Sequence, residues 1–358
     1  MTSLDPRSFA ADLLVWFAGA AREMPWRESK DPYRIWISEI MLQQTQVNTV
    51  RPYFLRFIEA FPTVQDLAAA PLERVLKLWE GLGYYSRARN LHRGAQYVVE
   101  HFQGRIPASP EDIRRIPGIG PYSAGAILSI AFDLPEPAVD GNVIRVFSRL
   151  DAIVTPFDTA SSRNGLEARV KALIPARAGD FNQALMELGA LICTPAKPDC
   201  PACPVRSHCR AFAQGHPESY PVKVKKTKVR TVAMAVALIR DAQGRVLIQQ
   251  QGHQGIFRQL WCLPWIEQGE REAEAALAGV LPAPFKLLGH LGTVAHTMTH
   301  RQLEMAVYVC QSGQLTNPLP SGWAWLDPEL NPDYAVPVAH QKILAYVAAH
   351  PLLLQMYL

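Results

Sequence analysis

Ile116-Pro117-Gly118-Ile119-Gly120-Pro121-Tyr122 is the stretch that decides the fold. Ser109 to Arg115 ahead of it reads as a short helix, and the two glycines make a tight turn. Pro121 suits the first position of a new helix, where its missing N–H costs nothing. Ala124, Gly125 and Ala126 let that helix approach a neighbour closely. The pattern predicts a helix–hairpin–helix over about 109–132. Gly118 and Gly120, at a helix N-terminus, let backbone N–H groups face a phosphate. Such a grip holds DNA backbone without reading its sequence. An ordinary αα-hairpin would share the pattern.

Working outward, the segments upstream and downstream of the hairpin stay helical. Leu72 to Trp79, Arg89 to Phe102 and Gly165 to Leu173 carry apolar residues at three- and four-residue spacing. Pro and Gly punctuate them at short intervals. Beyond Pro217 the period changes. Val232 to Ile239, Arg245 to Gln250 and Leu303 to Cys310 read as strands, and Ala339 to Ala349 as a closing helix. The organisation expected is an all-helical domain over 1–217, a linker over 218–230, and a smaller α+β domain over 231–358. Two domains also suit 358 residues.

The chain is 49% hydrophobic and 19% charged, which excludes disorder over most of its length. No run of about 18 uncharged apolar residues suggests a membrane span. The first ten residues, interrupted by Asp5 and Arg7, do not read as a leader. A cytoplasmic, nucleoid-associated protein of a prokaryote is expected, acting as a monomer. The net charge of +4 is uneven: +1 over residues 1–222, +5 over 223–230 and −2 over 231–358. Lys223, Lys225, Lys226, Lys228 and Arg230 suit a polyanion such as DNA, or a linker kept solvated by charge.

Cys193, Cys200, Cys203 and Cys209 follow the spacing C-x6-C-x2-C-x5-C. In a reducing compartment they are not expected to pair as disulfides. Four thiolates this close predict a metal site, either zinc or an iron–sulfur cluster. Cys262 and Cys310 stand alone and read as core residues.

The hairpin motif, Val139-Asp140-Gly141-Asn142-Val143 twenty residues past Gly120, and the four cysteines together resemble the helix–hairpin–helix DNA glycosylase superfamily. The cysteine spacing resembles that of its iron–sulfur branch, which implies a [4Fe–4S] cluster on the 193–209 loop. Trp36-Ile37-Ser38-Glu39-Ile40-Met41-Leu42-Gln43-Gln44 and Trp79-Glu80-Gly81-Leu82-Gly83-Tyr84-Tyr85 resemble the adenine glycosylases within that branch. The implied substrate is double-stranded DNA carrying adenine opposite 8-oxoguanine or guanine.

A purine leaves its sugar readily only when its ring is protonated, and the sugar then passes through a cation. The reaction therefore calls for an acid and an anion, roles that two carboxylates in different surroundings can divide. Glu39 shares a helix face with Ile35, Trp36 and Leu42. Burial there would keep it protonated. The resemblance implies that Glu39 is the acid and Asp140 the anion, with Asn142 orienting Asp140; the residue pattern alone makes Asp140 a helix N-cap. In the similar endonuclease III a lysine occupies the position of Tyr122 and cleaves the strand. No lysine lies between Arg115 and Arg145, so base removal without efficient strand cleavage is expected. Tyr122 is expected to bond the aspartate or the acid. The resemblance further implies that Gln44 and Tyr84 fill the gap left by the flipped base, and that Arg27 and Gln183 read the adenine edge.

In the last third, Gly255 to Pro264 resembles the start of a Nudix fold, but the acidic magnesium-binding box does not follow. Nucleotide hydrolysis is not expected. The resemblance implies a lesion-reading domain whose contact loop, usually Phe-Ser-His, is here Met298-Thr299-His300. A pyrimidine glycosylase-lyase and a non-catalytic damage sensor are the rival readings. The missing lysine counts against the first, and the Glu39 and Asp140 pair against the second.

Overall fold

The computed structural model describes residues 5–222, 229–267, 272–313, 315, 318–331 and 333–357. The basic residues Lys223, Lys225, Lys226 and Lys228 lie outside the described residues. In chain order the helical elements are α1 (Pro6–Ala20), α2 (Pro32–Leu42), α3 (Val47–Ala60), α4 (Val64–Ala69), α5 (Leu72–Leu78), α6 (Ser86–Phe102), α7 (Pro110–Ile113), α8 (Pro121–Phe132), α9 (Gly141–Leu150), α10 (Ala160–Lys171), α11 (Ala178–Leu191) and α12 (Arg210–Ala213). There follow β1 (Arg230–Leu238), β2 (Val246–Gln250), β3 (Trp261–Cys262), β4 (Trp265–Glu267), α13 (Ala273–Leu277), β5 (Phe285–Thr297), β6 (Arg301–Ser312), β7 (Trp323–Leu326), α14 (Val338–Ala349) and α15 (Pro351–Gln355). Over their described residues these form two compact units. One comprises Met1–Ala70 and Ser86–Lys225, the other Pro71–Tyr85 and Lys226–Leu358.

The first unit is all helical. Phe9 and Leu13 of α1, Val143 and Phe147 of α9, and Phe181, Leu185 and Leu188 of α11 bury their side chains together. Each buried side chain of this kind contributes roughly 1.5–3 kcal/mol. The helix α2 begins at an Asp31 cap with Pro32 at its first position, and Ile35 to Met41 are all buried. A helix buried on nearly every side runs through a core, and α2 does, taking Ser38 and Glu39 in with it. It packs on α8, whose residues Ser123 to Ser129 are also buried. The helix–hairpin–helix consists of α7, capped by Ser109, and α8. Its turn needs glycine at 118: φ is +87°, and a Cβ there would stand 2.7 Å from Cβ of Asn90 in α6.

The second unit holds a four-stranded sheet in the order β4-β1-β6-β5 and a three-stranded sheet β3-β2-β7. β1 and β6 run parallel, pairing Val232 with Leu303 through Leu238 with Val309. The helix α14 covers one core, in which Val232, Val236, Met305, Val307 and Ile343 meet; Leu277 of α13 joins a smaller one. Cys262 and Cys310 are buried, as expected.

The segment 71–85, which the sequence reading groups with the helical domain, packs with the second unit. Lys77 Nζ donates to Tyr334 O at 3.1 Å, and Val336 N donates to Glu80 Oε1 at 2.8 Å. Main-chain partners of this kind leave no trace in local periodicity. The sequence reading also omits β5. Gly289 and Gly292 interrupt its alternation, and the strand slips register at both points. It is an edge strand whose faces are only partly buried, so it lacks the period-two pattern of a half-buried strand.

Candidate active site and cysteine cluster

Glu39 of α2, Tyr122 of α8, Asp140 and Asn142 at the start of α9, Arg27, and Gln183 of α11 all line one cavity of about 450 Å³ in the first unit. That is ample for a single flipped base. Tyr122 Oη donates to Glu39 Oε2 at 2.5 Å. Glu39 is 5% exposed. Burial pushes its carboxyl up, from 4.5 to about 7; the Tyr122 bond and the Arg27 charge pull down, and the charge of Asp140 pushes up. A carboxyl so placed holds its proton near neutral pH and can deliver it.

Asp140 caps α9, accepting from Val143 N at 2.8 Å and from Asn142 Nδ2 at 2.8 Å. Burial raises its pKa, while those donors and Arg145 act against the rise. The helix N-terminus favours its charge as well. The cap and the site residue are thus one group. Asn142 is held in turn by Arg145, whose Nη2 donates to Asn142 Oδ1 at 2.7 Å and to Gly189 O at 2.7 Å. Arg145 Nε donates to Cys193 O at 2.7 Å. A continuous run of bonds therefore joins the cysteine loop to Asp140. Gly189 leaves Asn142 its room, since a Cβ there would stand 2.6 Å from Asn142 Cβ.

The sequence reading misses Glu187. Its side chain is 2% exposed and lines the same cavity. It accepts from Arg22 Nε at 2.6 Å and from Arg27 Nη2 at 3.1 Å. Burial alone would raise its pKa, but the Arg22 bonds and the Arg27 charge leave it below the usual carboxylate value. Arg27 is thereby held at the cavity wall. The one signal available was spacing: Gln183 and Glu187 lie four apart on α11 and share a face.

Gln44 lies between α2 and α3 with a left-handed backbone, φ 58°. It is not among the residues lining the cavity, although Thr45 and Gln46 are. Tyr84, Thr299 and His300 belong to the second unit. Tyr84 is also left-handed, φ 47°, and its hydroxyl is 2.7 Å from Thr299 Oγ1. Met298, Thr299 and His300 form the turn joining β5 to β6, with Met298 packed against the sheet core.

Cys193, Cys200, Cys203 and Cys209 border a small cavity together with Arg149, Pro198 and Pro217. Burial raises the thiol pKa of Cys200, Cys203 and Cys209, and the neighbouring sulfurs raise each further. Among the described residues no three His, Cys, Asp or Glu side chains converge on a single ion position. No helix of the described residues is long and apolar enough to cross a membrane.

Residues 37–170 match the model of the HhH-GPD superfamily of base excision DNA repair proteins, and residues 235–346 match the NUDIX domain. A thermostable thymine-DNA glycosylase of known structure superposes with a TM-score of 0.53 at 28% identity, covering 58% of this chain and 97% of that one. An endonuclease III–DNA complex gives 0.51 at 24% identity, covering 60% and 99%, and supports the fold. The helical fold and the cavity thus define a DNA glycosylase carrying a Nudix-like domain.

Adenine DNA glycosylase of Mus musculus is 36% identical over 97% of this chain and 79% of its own length. The Homo sapiens protein is 36% identical over 94% and 73%, and that of Buchnera aphidicola from Baizongia pistaciae 37% over 72% and 73%. The chain belongs to the adenine DNA glycosylase family.

Proposed function

We propose that this enzyme flips adenine out of duplex DNA where it faces 8-oxoguanine or guanine, and hydrolyses its glycosidic bond without efficient strand cleavage. The observation that carries the reading is the meeting of Glu39, Tyr122 and Asp140 in one cavity, with Glu39 pushed up to about 7. Glu39 gives its proton to the adenine ring. The C1′–N9 bond breaks, and its electron pair leaves with the base. Asp140, held by Asn142 and Val143 N, stabilises the sugar cation. Glu39, now ionised, takes a proton from the water that adds to C1′. Tyr122 offers no amine for a Schiff base, so the abasic strand stays intact.

Arg27, fixed by Glu187, and Gln183 face the base in this reading. Gln44 and Tyr84 fill the vacated stack; left-handed backbone at both is strain of the kind found at functional turns. Thr299 and His300 face the lesion strand, and the Gly118 and Gly120 amides hold a phosphate. The four cysteines carry a [4Fe–4S] cluster. The bordering of one small cavity by all four cysteines supports that reading.

The test is incubation of the purified protein with duplexes carrying A:8-oxoguanine, A:G, A:T and T:G, with and without alkali afterwards. Release of adenine from the first two, with nicks only after alkali, is expected. Release of thymine, or borohydride trapping at the rate of base release, would overturn the reading.

A further inference from the structure

Arg149 breaks a rule of protein interiors. It is 2% exposed, yet among the described residues no carboxylate lies within salt-bridge distance of it. Buried charges are ordinarily paired, because desolvating a lone ion costs several kcal/mol. The guanidinium instead donates to Cys193 Sγ at 3.3 Å, to Thr194 O at 2.8 Å, to Pro195 O at 3.0 Å and to Tyr220 O at 3.1 Å. Its own carbonyl accepts from Cys209 Sγ at 3.4 Å. Carbonyl dipoles satisfy the N–H groups but do not neutralise the charge. The four cysteines border the same cavity.

We propose that Arg149 is the built-in counter-charge of the iron–sulfur cluster, setting its reduction potential and tying its presence to the path of the chain. The inference rests on the cluster reading above. Four thiolates on a [4Fe–4S] core carry net negative charge, and reduction makes that charge more negative. A buried cation with an N–H···S bond therefore favours the reduced form and raises the potential. The same fork ties the loop entrance, at Thr194 and Pro195, to its exit at Tyr220. With the cluster bound, the charge is paired and the fork holds the loop. Without the cluster, Arg149 is an uncompensated buried ion and works against the fold. Its contribution to stability should reverse sign with cluster loading, which a purely architectural arginine would not do.

The experiment uses full-length protein with Arg149→Gln and Arg149→Lys. Iron content and visible absorption come first. Wild-type protein lacking about four irons per chain would overturn the cluster reading, and this inference with it. In loaded protein, voltammetry of Arg149→Gln should show weaker preference for the reduced form by roughly tenfold, about 59 mV for one electron. Arg149→Lys, which keeps the charge, should lie nearer to wild type. Thermal unfolding is then followed before and after iron is removed by chelation. Arg149→Gln should be less stable than wild type when loaded and at least as stable when iron-free. An unchanged potential in loaded Arg149→Gln overturns the proposal. So does a Lys variant that falls as far as Gln, or equal destabilisation of both forms. If Arg149→Gln takes up no iron, the iron-free comparison decides alone.

Discussion

Glu39 carries the sharpest pH signature of any residue in the site. If it is the acid, single-turnover base release should fall as pH rises through about 7, where the proton is lost. Removing the Tyr122 bond, which pulls the value down, should move that limb to higher pH in Tyr122→Phe. A limb unmoved, or moved down, would contradict the pairing. Glu39→Gln should cost roughly a hundredfold or more in rate. It should also stabilise the protein, and the sign follows from linkage. A carboxyl raised from 4.5 to about 7 weakens the fold progressively over that window and by a constant amount above it. Glu39→Gln should therefore raise Tm at pH 8 and change it little at pH 4.5. The gain corresponds to up to roughly 3 kcal/mol. The residue pattern showed Glu39 flanked by Ile35 and Trp36, and the sequence reading offered Tyr122 to either Asp140 or Glu39; the fold bonds it to Glu39, 83 positions away.

At the scale of elements, the close pass of α11 over the start of α9 holds Asn142 in place. Gly189→Ala should press on Asn142, tilt it away from Asp140 and slow base release by roughly ten- to a hundredfold. Iron content should not change; loss of iron in step with rate would mean that the whole loop had shifted instead. The run from Cys193 through Arg145 to Asn142 was not legible in the sequence, although each residue was visible. Arg145 spans a turn of α9 and the end of α11, and the meeting of those helix ends is a packing outcome.

The whole molecule adds a buried histidine. His340 is fully buried in the second unit, neither ring nitrogen has a hydrogen-bond partner among the described residues, and burial with the nearby His296 lowers its pKa to about 3. A depressed histidine destabilises the fold as pH falls below about 6.5, because only the unfolded chain takes up the proton. At pH 5 that penalty is roughly 2 kcal/mol. His340→Leu should therefore raise the Tm of the second unit's transition more at pH 5 than at pH 8; an equal change at both would refute the burial argument. Truncation at Tyr220 should do more than lower the proposed preference for 8-oxoguanine. It would strip Lys77, Glu80 and Tyr84 of Tyr334, Val336 and Thr299. Base release from A:G should fall with it, not only the preference for 8-oxoguanine, as measured by single-turnover rates on both duplexes.

By itself the sequence determined the helix–hairpin–helix, because Gly118 permits the left-handed turn and Pro121 fixes the backbone at the start of α8. It also determined the change of period beyond Pro217 and the grouping of Cys193, Cys200, Cys203 and Cys209, all properties of near neighbours. Only the tertiary structure decided that Glu187 anchors Arg27, that Pro71–Tyr85 belongs with the second unit, and that β5 is a strand. The first two depend on partners far apart in the chain, as with a buried carboxylate between two arginines; β5 pairs with its hairpin neighbour β6, but its glycines and two register slips break the alternation. Local propensity carries no record of such partners, since long-range contacts form only when the whole chain packs.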